Sequence, residues 1–143
     1  MVQCFFHGTG QTFSNAPGTR PAVREFVSDG VCVEVRLGAY RIILDCGLRN
    51  LRTLKDLNAP DLLLCSHAHI DHSRSIADLQ ADYPDLPSYS TAITAALIAL
   101  EFPEVKLQSL PLQDPIELLP HLTVQLFPAG HLPGAAVFLL TYT

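Results

Sequence analysis

The chain has 143 residues, enough for one domain, and its net charge of −5 without any Lys/Arg run gives no indication of a nucleic-acid-binding surface. No segment reaches the roughly 18 apolar residues of a membrane helix, and residues 1–7 lack the pattern of a signal peptide. The cysteines, Cys4, Cys32, Cys46 and Cys65, are widely spaced and three of them lie in apolar or strand-like contexts, so we expect buried free thiols and a cytoplasmic location.

The N-terminal third of the chain has the patterns of β-strands. Residues Val2–Phe6 are predicted to form a strand, and residues 7–21, rich in Gly, Ser, Thr and Pro, a loop. Apolar and polar residues alternate over residues 31–36, Gly38-Ala39 is predicted to turn, and residues 40–44 return as a strand. These patterns together predict a β-hairpin.

A buried strand and a helix flank the segment that is richest in histidine. Residues 51–57 can form a short helix, which a proline then terminates. Residues 61–65 are an apolar run of strand length, and residues 73–82 are predicted to form a helix with Ser73 as its N-cap. The segment 66–72 therefore lies at the end of a buried strand, where α/β folds gather binding sites.

The segment 66–72 contains three histidines and one aspartate in the pattern H-x-H-x-D-H. His67 and His69 project to the same side of an extended chain, because side chains alternate with period two, and they can bind one metal ion together. Asp71 and His72 follow where the chain bends and can reach a second ion. Imidazole suits Zn, Fe and Mn, and a carboxylate adds a harder oxygen ligand. The alternative, a polar turn of solvated histidines, suits a lone histidine better than this cluster.

Short strands and one helix are predicted after residues 66–72, which we call the metal segment. The strands are predicted at residues 88–90, 122–127 and 135–142, and the helix at residues 91–100. In that helix, Ile93, Leu97 and Leu100 are predicted to form a stripe that faces the core. We find no chemistry in residues 101–120, whose acidic residues are expected to be solvated.

The H-x-H-x-D-H segment resembles the metal motif of the metallo-β-lactamase fold hydrolases at His67, His69, Asp71 and His72. Two further segments are similar to motifs of that family and occur in the family's order. They are Leu44-Asp45-Cys46-Gly47 and Ala129-Gly130-His131-Leu132-Pro133-Gly134-Ala135. The resemblance implies an α/β (α+β) fold of the αββα sandwich type, of which this chain is expected to form the N-terminal half only.

The resemblance also implies roles for two residues outside the H-x-H-x-D-H motif. His131 is expected to bind zinc with the first two histidines of the motif, which leaves an open fourth position, as in catalytic zinc sites. Asp45 is expected to orient a ligating histidine, the alternative being a plain turn aspartate before glycine. Asp71 and His72 would bind a second zinc ion, and Asp71 would also orient the attacking water.

Two segments look like motifs of the β-CASP nucleases, the branch of the family that processes RNA and DNA. These are residues 44–47 and residues 129–135, and residues 89–94 also resemble a strand-to-helix segment of that branch. The resemblance implies a zinc-dependent RNA phosphodiesterase in the full-length parent. One alternative is a thioester or lactone hydrolase of the glyoxalase II type, which shares Gly-His-x-Pro-Gly. The other is an inactive partial domain that acts by association.

The family pattern implies further elements that residues 1–143 do not contain. A metal-bridging aspartate, the β-CASP cap, a later histidine ligand and a basic RNA-binding surface are expected elsewhere in the parent protein. We therefore expect the isolated chain to be inactive.

The expected half sandwich has a consequence for association. We predict one sheet with helices on one face and the other face bare, and a last strand without a neighbour. Hydrophobic residues make up 48% of the chain and charged residues 16%, which agrees with a large apolar surface. We therefore expect a homo-oligomer, or association through the exposed sheet face, and no membrane partner.

Overall fold

The computed structural model describes residues 1–13, 26–51 and 58–143, and these residues form two sheets and three helices. The elements in chain order are β1 (Val2–Phe13), β2 (Phe26–Leu37), β3 (Tyr40–Leu44), β4 (Leu62–Leu64), α1 (Ile70–Ser73), α2 (Ile76–Asp82), β5 (Ser88–Ser90), α3 (Ala92–Glu101), β6 (Gln108–Ser109), β7 (Ile116–Leu119), β8 (Leu122–Pro128) and β9 (Ala136–Tyr142). None of the helices in the described ranges is both long and apolar enough to cross a bilayer.

The predicted hairpin and strands are present, but β1 and the helix predicted at residues 73–82 differ from the prediction. Residues 7–13 continue β1 instead of starting a loop. The remainder of that loop, residues 14–21, and residues 52–57 of the first predicted helix lie outside the described residues. The helix predicted at residues 73–82 is two helices, α1 and α2. Ser73 ends α1 and caps no helix, because its hydroxyl donates to the His69 carbonyl oxygen at 3.0 Å.

The six-stranded sheet brings the predicted motifs to one edge. Its order is β1-β2-β3-β4-β5-β6, antiparallel from β1 to β3 and parallel from β3 to β6. Leu44 of β3 pairs with Leu64 of β4, so both strands end at the same level. The residues that follow, Asp45 and the segment 66–72, therefore leave the sheet side by side at its carboxyl edge.

A second sheet covers one face of the first, so the prediction of a single sheet with a bare face is wrong. Strands β7, β8 and β9 form an antiparallel sheet of their own. Leu122, Val124 and Leu126 of β8 are completely buried, in one core cluster with Ile42 and Leu64 of the larger sheet. Alternation along β8 identifies the strand and its buried face, but any apolar surface can cover that face.

Among the residues that the structure describes, the last strand has one unpaired edge, as predicted. Strand β9 lies at the edge of the three-stranded sheet, and its Val137 and Leu139 side chains are 56% and 49% exposed. Association through a bare sheet face is no longer expected, because the second sheet covers that face, whereas association through the edge of β9 stays a prediction.

Helices α2 and α3 pack on the opposite face of the large sheet. Ile76 and Leu79 of α2 and Ile98 of α3 are buried there with Ile43 and Leu63. This second core, together with the one between the sheets, buries the parallel strands on both faces, as is usual for parallel sheets.

The buried face of α3 differs from the predicted one. Ile93, Leu97 and Leu100 are 51%, 36% and 83% exposed, so the predicted core-facing stripe is wrong. The helix buries Thr94 and Ile98 instead. The spacing of Thr94 and Ile98 is equally helical, but a threonine on the buried face requires a polar partner that the sequence does not reveal.

A buried carboxylate lies in the middle of β2. Glu34 is fully buried, with His7 Nε2 at 2.9 Å, Arg36 Nε at 2.7 Å and Arg41 Nε at 2.9 Å from its oxygens. Burial raises the pKa of Glu34, but the hydrogen bonds with Arg41, Arg36 and His7 lower it by more, so the net pKa is about 2. His7 is therefore part of the charged interior of the sheet and not a loop residue.

Replacing Glu34 with Gln is expected to lower the free energy of unfolding by about 3 kcal/mol at pH 7, because buried arginine charge loses its anionic partner. The folded pKa lies below the ordinary 4.5, so the contribution is complete above pH 4.5 and is lost as the pH falls toward 2. Urea unfolding should give a difference between native and variant chains that shrinks over this interval. The exposed Glu104→Gln should change little, and a pH-independent difference for Glu34→Gln would contradict the prediction.

Candidate metal centre

Three histidines form a nearly regular triangle at the carboxyl edge of the large sheet. The ring centroids of His67, His69 and His131 are each 4.9 Å from the other two. Their ligand nitrogens all lie within 4.8 Å of one another, and His131 Nε2 is 3.2 Å from His69 Nδ1. The two sequence-distant segments predicted to share a metal therefore meet in space.

The geometry of this histidine triangle fits a divalent metal ion. With a metal–nitrogen distance of about 2.05 Å, tetrahedral coordination separates two nitrogens by roughly 3.3 Å. The 3.2 Å between His69 and His131 is close to that separation. His67 Nε2 is buried without a hydrogen-bond partner, a cost that a metal ion would remove. His69 and His131 are exposed, which leaves access for a fourth ligand.

Ser66 determines which nitrogen of His67 is free. Its backbone N–H and its hydroxyl donate to the Asp45 carboxylate at 2.6 and 2.7 Å. The hydroxyl has one proton and uses it on the carboxylate, so its 2.8 Å contact with His67 Nδ1 requires that nitrogen to donate. The lone pair of neutral His67 is therefore on Nε2, the buried nitrogen without a partner.

Asp45 also orients His72. His72 Nδ1 is 2.7 Å from Asp45 Oδ2, and because an ionised carboxylate only accepts, His72 donates and keeps Nε2 for another ligand. That Nε2 is 3.7 Å from Asp71 Oδ2. Asp71 and His72, the predicted ligands of a second ion, are thus adjacent. Besides the histidine triangle, one other group of three described residues has metal-binding geometry, and it consists of Asp45, His67 and His72 without Asp71.

Backbone contacts hold Asp45 against the metal segment. Asp45 has a φ of 59°, a left-handed conformation that aspartate adopts more readily than most residues. The next amide, of Cys46, donates to the His72 carbonyl oxygen at 2.8 Å. A Cβ at Gly47 would lie 1.7 Å from the Asp71 carbonyl oxygen, so only glycine permits this approach.

The loop that carries His131 connects β8 and β9 of the smaller sheet, and the chain just after it contacts the segment that follows β4 of the larger sheet. We call residues 129–135 the His131 loop. Its ends are connected by a hydrogen bond from Ala129 N to Ala135 O at 2.9 Å. The next amide, of Ala136 at the start of β9, donates to the Ser66 carbonyl oxygen at 2.9 Å. The smaller sheet is thereby fixed to the residue directly before His67.

The two histidines nearest Asp45 have opposite protonation behaviour. Burial, reinforced by the charge of His72 and opposed by Asp45, lowers the pKa of His67 to about 4. Burial also lowers the pKa of His72, but the hydrogen bond with Asp45 and the charges of Asp45 and Asp71 raise it more, so the net shift is upward. His67 is therefore neutral at pH 7, the form that binds a metal.

The buried thiols near the site are protonated and are poor nucleophiles. A hydrogen bond with Cys32, together with burial, raises the pKa of the Cys46 thiol, and burial raises that of Cys65. All four cysteines are free, as predicted; Cys32, Cys46 and Cys65 are buried, and Cys4 is exposed.

Every side chain predicted from the sequence lies in or beside this site. The three histidines of the triangle come together, Asp45 pairs with His72, and Asp71 lies next to His72. The sequence prediction assigns no role to Ser66, because a serine before a histidine has no diagnostic spacing. Its position between a buried strand and the first ligand is the one available signal.

The sequence matches one family and is similar to two curated proteins. Residues 40–138 match the family described as the beta-lactamase superfamily domain. The uncharacterized protein sll0514 of Synechocystis sp. is 44% identical over 119 residues, which cover 79% of this chain and 22% of that protein. The probable RNase MJ4 of Methanocaldococcus jannaschii is 27% identical over 139 residues, which cover 78% of this chain and 32% of that protein. This chain therefore spans less than a third of the length of either relative.

The architecture is also found in solved structures. The metallo-beta-lactamase fold protein YhfI from Bacillus subtilis superimposes with a TM-score of 0.71 at 19% identity, over 98% of this chain and 58% of that one. This similarity confirms the predicted fold class. From the family match over most of its length and from this fold, the chain belongs to the beta-lactamase superfamily and has the metallo-β-lactamase fold of metal-dependent hydrolases.

Proposed function

We propose that this chain is the N-terminal part of a zinc-dependent phosphodiesterase that acts on RNA. The observation that carries the proposal is the histidine triangle with two exposed members. Three protein ligands and an accessible fourth position are typical of catalytic zinc, whereas structural zinc sites have four protein ligands.

The side chains of the site have complementary roles in this proposal. A bound zinc ion supplies hydroxide near neutral pH, because it lowers the pKa of water to roughly 7. We assign Asp71, whose side chain is 32% exposed, to orient the attacking water for in-line attack on phosphorus. His72 and Asp71 together would hold a second ion, and Asp45 keeps the His72 ring in position through its hydrogen bond.

RNA as the substrate is supported by two observations of unequal strength. One is the similarity to the probable RNase of M. jannaschii. The other is the likeness of residues 44–47 and 89–94 to segments of the β-CASP branch, whereas residues 129–135 contain the Gly-His-x-Pro-Gly that the glyoxalase II type shares and do not discriminate. The chain itself has a net charge of −5, so the basic surface that RNA requires would be supplied by another part of the parent protein. The four free cysteines support a cytoplasmic location.

The chain is expected to bind about one equivalent of zinc tightly and a second ion much more weakly. The triangle offers three imidazoles, whereas Asp71 and His72 offer one group each. Isothermal titration with a competing chelator measures both affinities. His69→Ala should abolish tight binding, because two imidazoles hold zinc poorly.

A matched control is available for this measurement. His121 lies in a turn with a φ of 65°, so His121→Asn keeps a residue that tolerates this conformation and should leave zinc affinity unchanged. Two equivalents bound with equal affinity would contradict the assignment.

RNA cleavage is expected from the parent protein and not from residues 1–143 alone. Labelled RNA incubated with the purified chain should show little or no chelator-sensitive cleavage. The longer polypeptide should cleave the same RNA, and Asp71→Asn should slow it by about 100-fold or more while zinc content stays near one equivalent. Hydrolysis of thioesters or lactones without RNA cleavage would instead support the glyoxalase II type alternative. Robust RNA cleavage by residues 1–143 would refute the first expectation.

A further inference from the structure

We propose that Thr94, together with Thr91, is a positioning residue of the metal centre that fixes His131 through the Gly134 carbonyl oxygen. The two threonines lie at the start of α3, outside the metal motifs. The inference rests on the metal centre alone and is independent of the substrate, so it stands even if the substrate is not RNA.

Both hydroxyls of this threonine pair meet one backbone acceptor. Thr91 Oγ1 donates to the Gly134 carbonyl oxygen at 2.7 Å, and Thr94 Oγ1 donates to the same oxygen at 3.0 Å. A carbonyl oxygen has two lone pairs, so two donors satisfy it completely. Thr91 and Thr94 are 6% and 0% exposed, and in such a setting each bond is difficult for water to replace.

The two threonines have different additional duties. Thr91 is the N-cap of α3, since its hydroxyl also accepts a hydrogen bond from Thr94 N at 3.2 Å. The Thr94 hydroxyl has no capping role, so its bond to the His131 loop can be removed without removing the helix cap. This difference makes Thr94 the informative position for substitution.

The glycine at the contact is required by conformation and by space. Gly134 has a φ of +83°, and a Cβ there would lie 2.8 Å from Ile93 Cβ and 2.8 Å from Thr94 N. Any side chain would push the loop away from the threonine pair. The loop is therefore seated directly on the first turn of α3, with its carbonyl oxygen directed at the two hydroxyls.

His131 depends on its loop more than His67 depends on the segment that carries it. His67 is buried, whereas His131 is exposed, so packing contributes little to its position. The hydrogen bond from Ala136 N to Ser66 O fixes the chain just after the loop, and the threonine pair fixes it three residues after His131. Without the pair, the His131 loop would lose these two hydrogen bonds to the start of α3.

The test is the zinc affinity of Thr94→Val, which keeps the shape of the side chain and removes the hydroxyl. We expect the tight zinc affinity to fall about tenfold, the range found when groups that support metal ligands are removed. Thr94→Ser, which keeps the hydroxyl, should restore it. Thr141→Val, at an exposed threonine of β9, is the matched control and should have no effect. If Thr94→Val does not fold by circular dichroism, Thr94→Ala takes its place.

A double-substitution cycle distinguishes positioning from a general structural effect. If Thr94 acts through His131, Thr94→Val should cause no further loss of metal affinity in a His131→Ala background, measured at higher metal concentration. The visible absorption of bound Co²⁺ should also change in Thr94→Val and not in Thr141→Val. An equal loss of affinity in both backgrounds, unchanged affinity in Thr94→Val, or no metal binding by the unsubstituted chain would overturn the proposal.

Discussion

The buried carboxylate of Asp45 is the interaction on which the site depends. A carboxylate removed from water is stable only when its oxygens accept hydrogen bonds. Here the donors are Ser66 and His72, which lie at the two ends of the metal segment. The contacts that stabilise this charge therefore also orient the ligands. Because the Ser66 hydroxyl donates to Asp45, His67 Nδ1 must donate to Ser66, and this determines the tautomer of His67.

The metal centre also depends on how the two sheets pack. His67 and His69 follow β4 of the large sheet, whereas His131 follows β8 of the small one. The apolar core between the sheets brings these strands together, and the bond from Ala136 to Ser66 sets their relative position at the site. Any change that shifts one sheet against the other would change the histidine triangle.

One nitrogen of the site is left in an unfavourable state by folding alone. His67 Nε2 is buried and has no partner, which costs about 1–3 kcal/mol for a group of this kind. A metal ion that binds only the folded chain removes this cost and adds its own binding free energy to stability. The nitrogen whose burial lowers the stability of the folded chain is therefore also the one positioned to bind a metal ion.

The sequence by itself determined the local parts of this protein. The apolar run before H-x-H-x-D-H gave the buried strand and the position of four ligand-type side chains, because strand alternation and ligand chemistry are local properties. The hairpin, the turn at Gly38 and the strands β8 and β9 are likewise predicted from local patterns, namely the alternation over residues 31–36, the glycine at the turn and short apolar segments. The link between His131 and the motif came from resemblance, because no local rule relates positions 62 residues apart.

Only the tertiary structure decided which surfaces meet. Alternation along β8 fixes which residues are buried but not which sheet they face, so the second sheet was not foreseen. Helix α3 buries Thr94, whose hydroxyl donates to a carbonyl oxygen in a loop 40 residues away, and leaves the more apolar Ile93 and Leu100 exposed. Ser66 likewise gains its role only when β3 and β4 end side by side. For Thr94 and Ser66, a polar group takes its position from a hydrogen-bond partner distant in sequence, and such partners meet only in the folded chain.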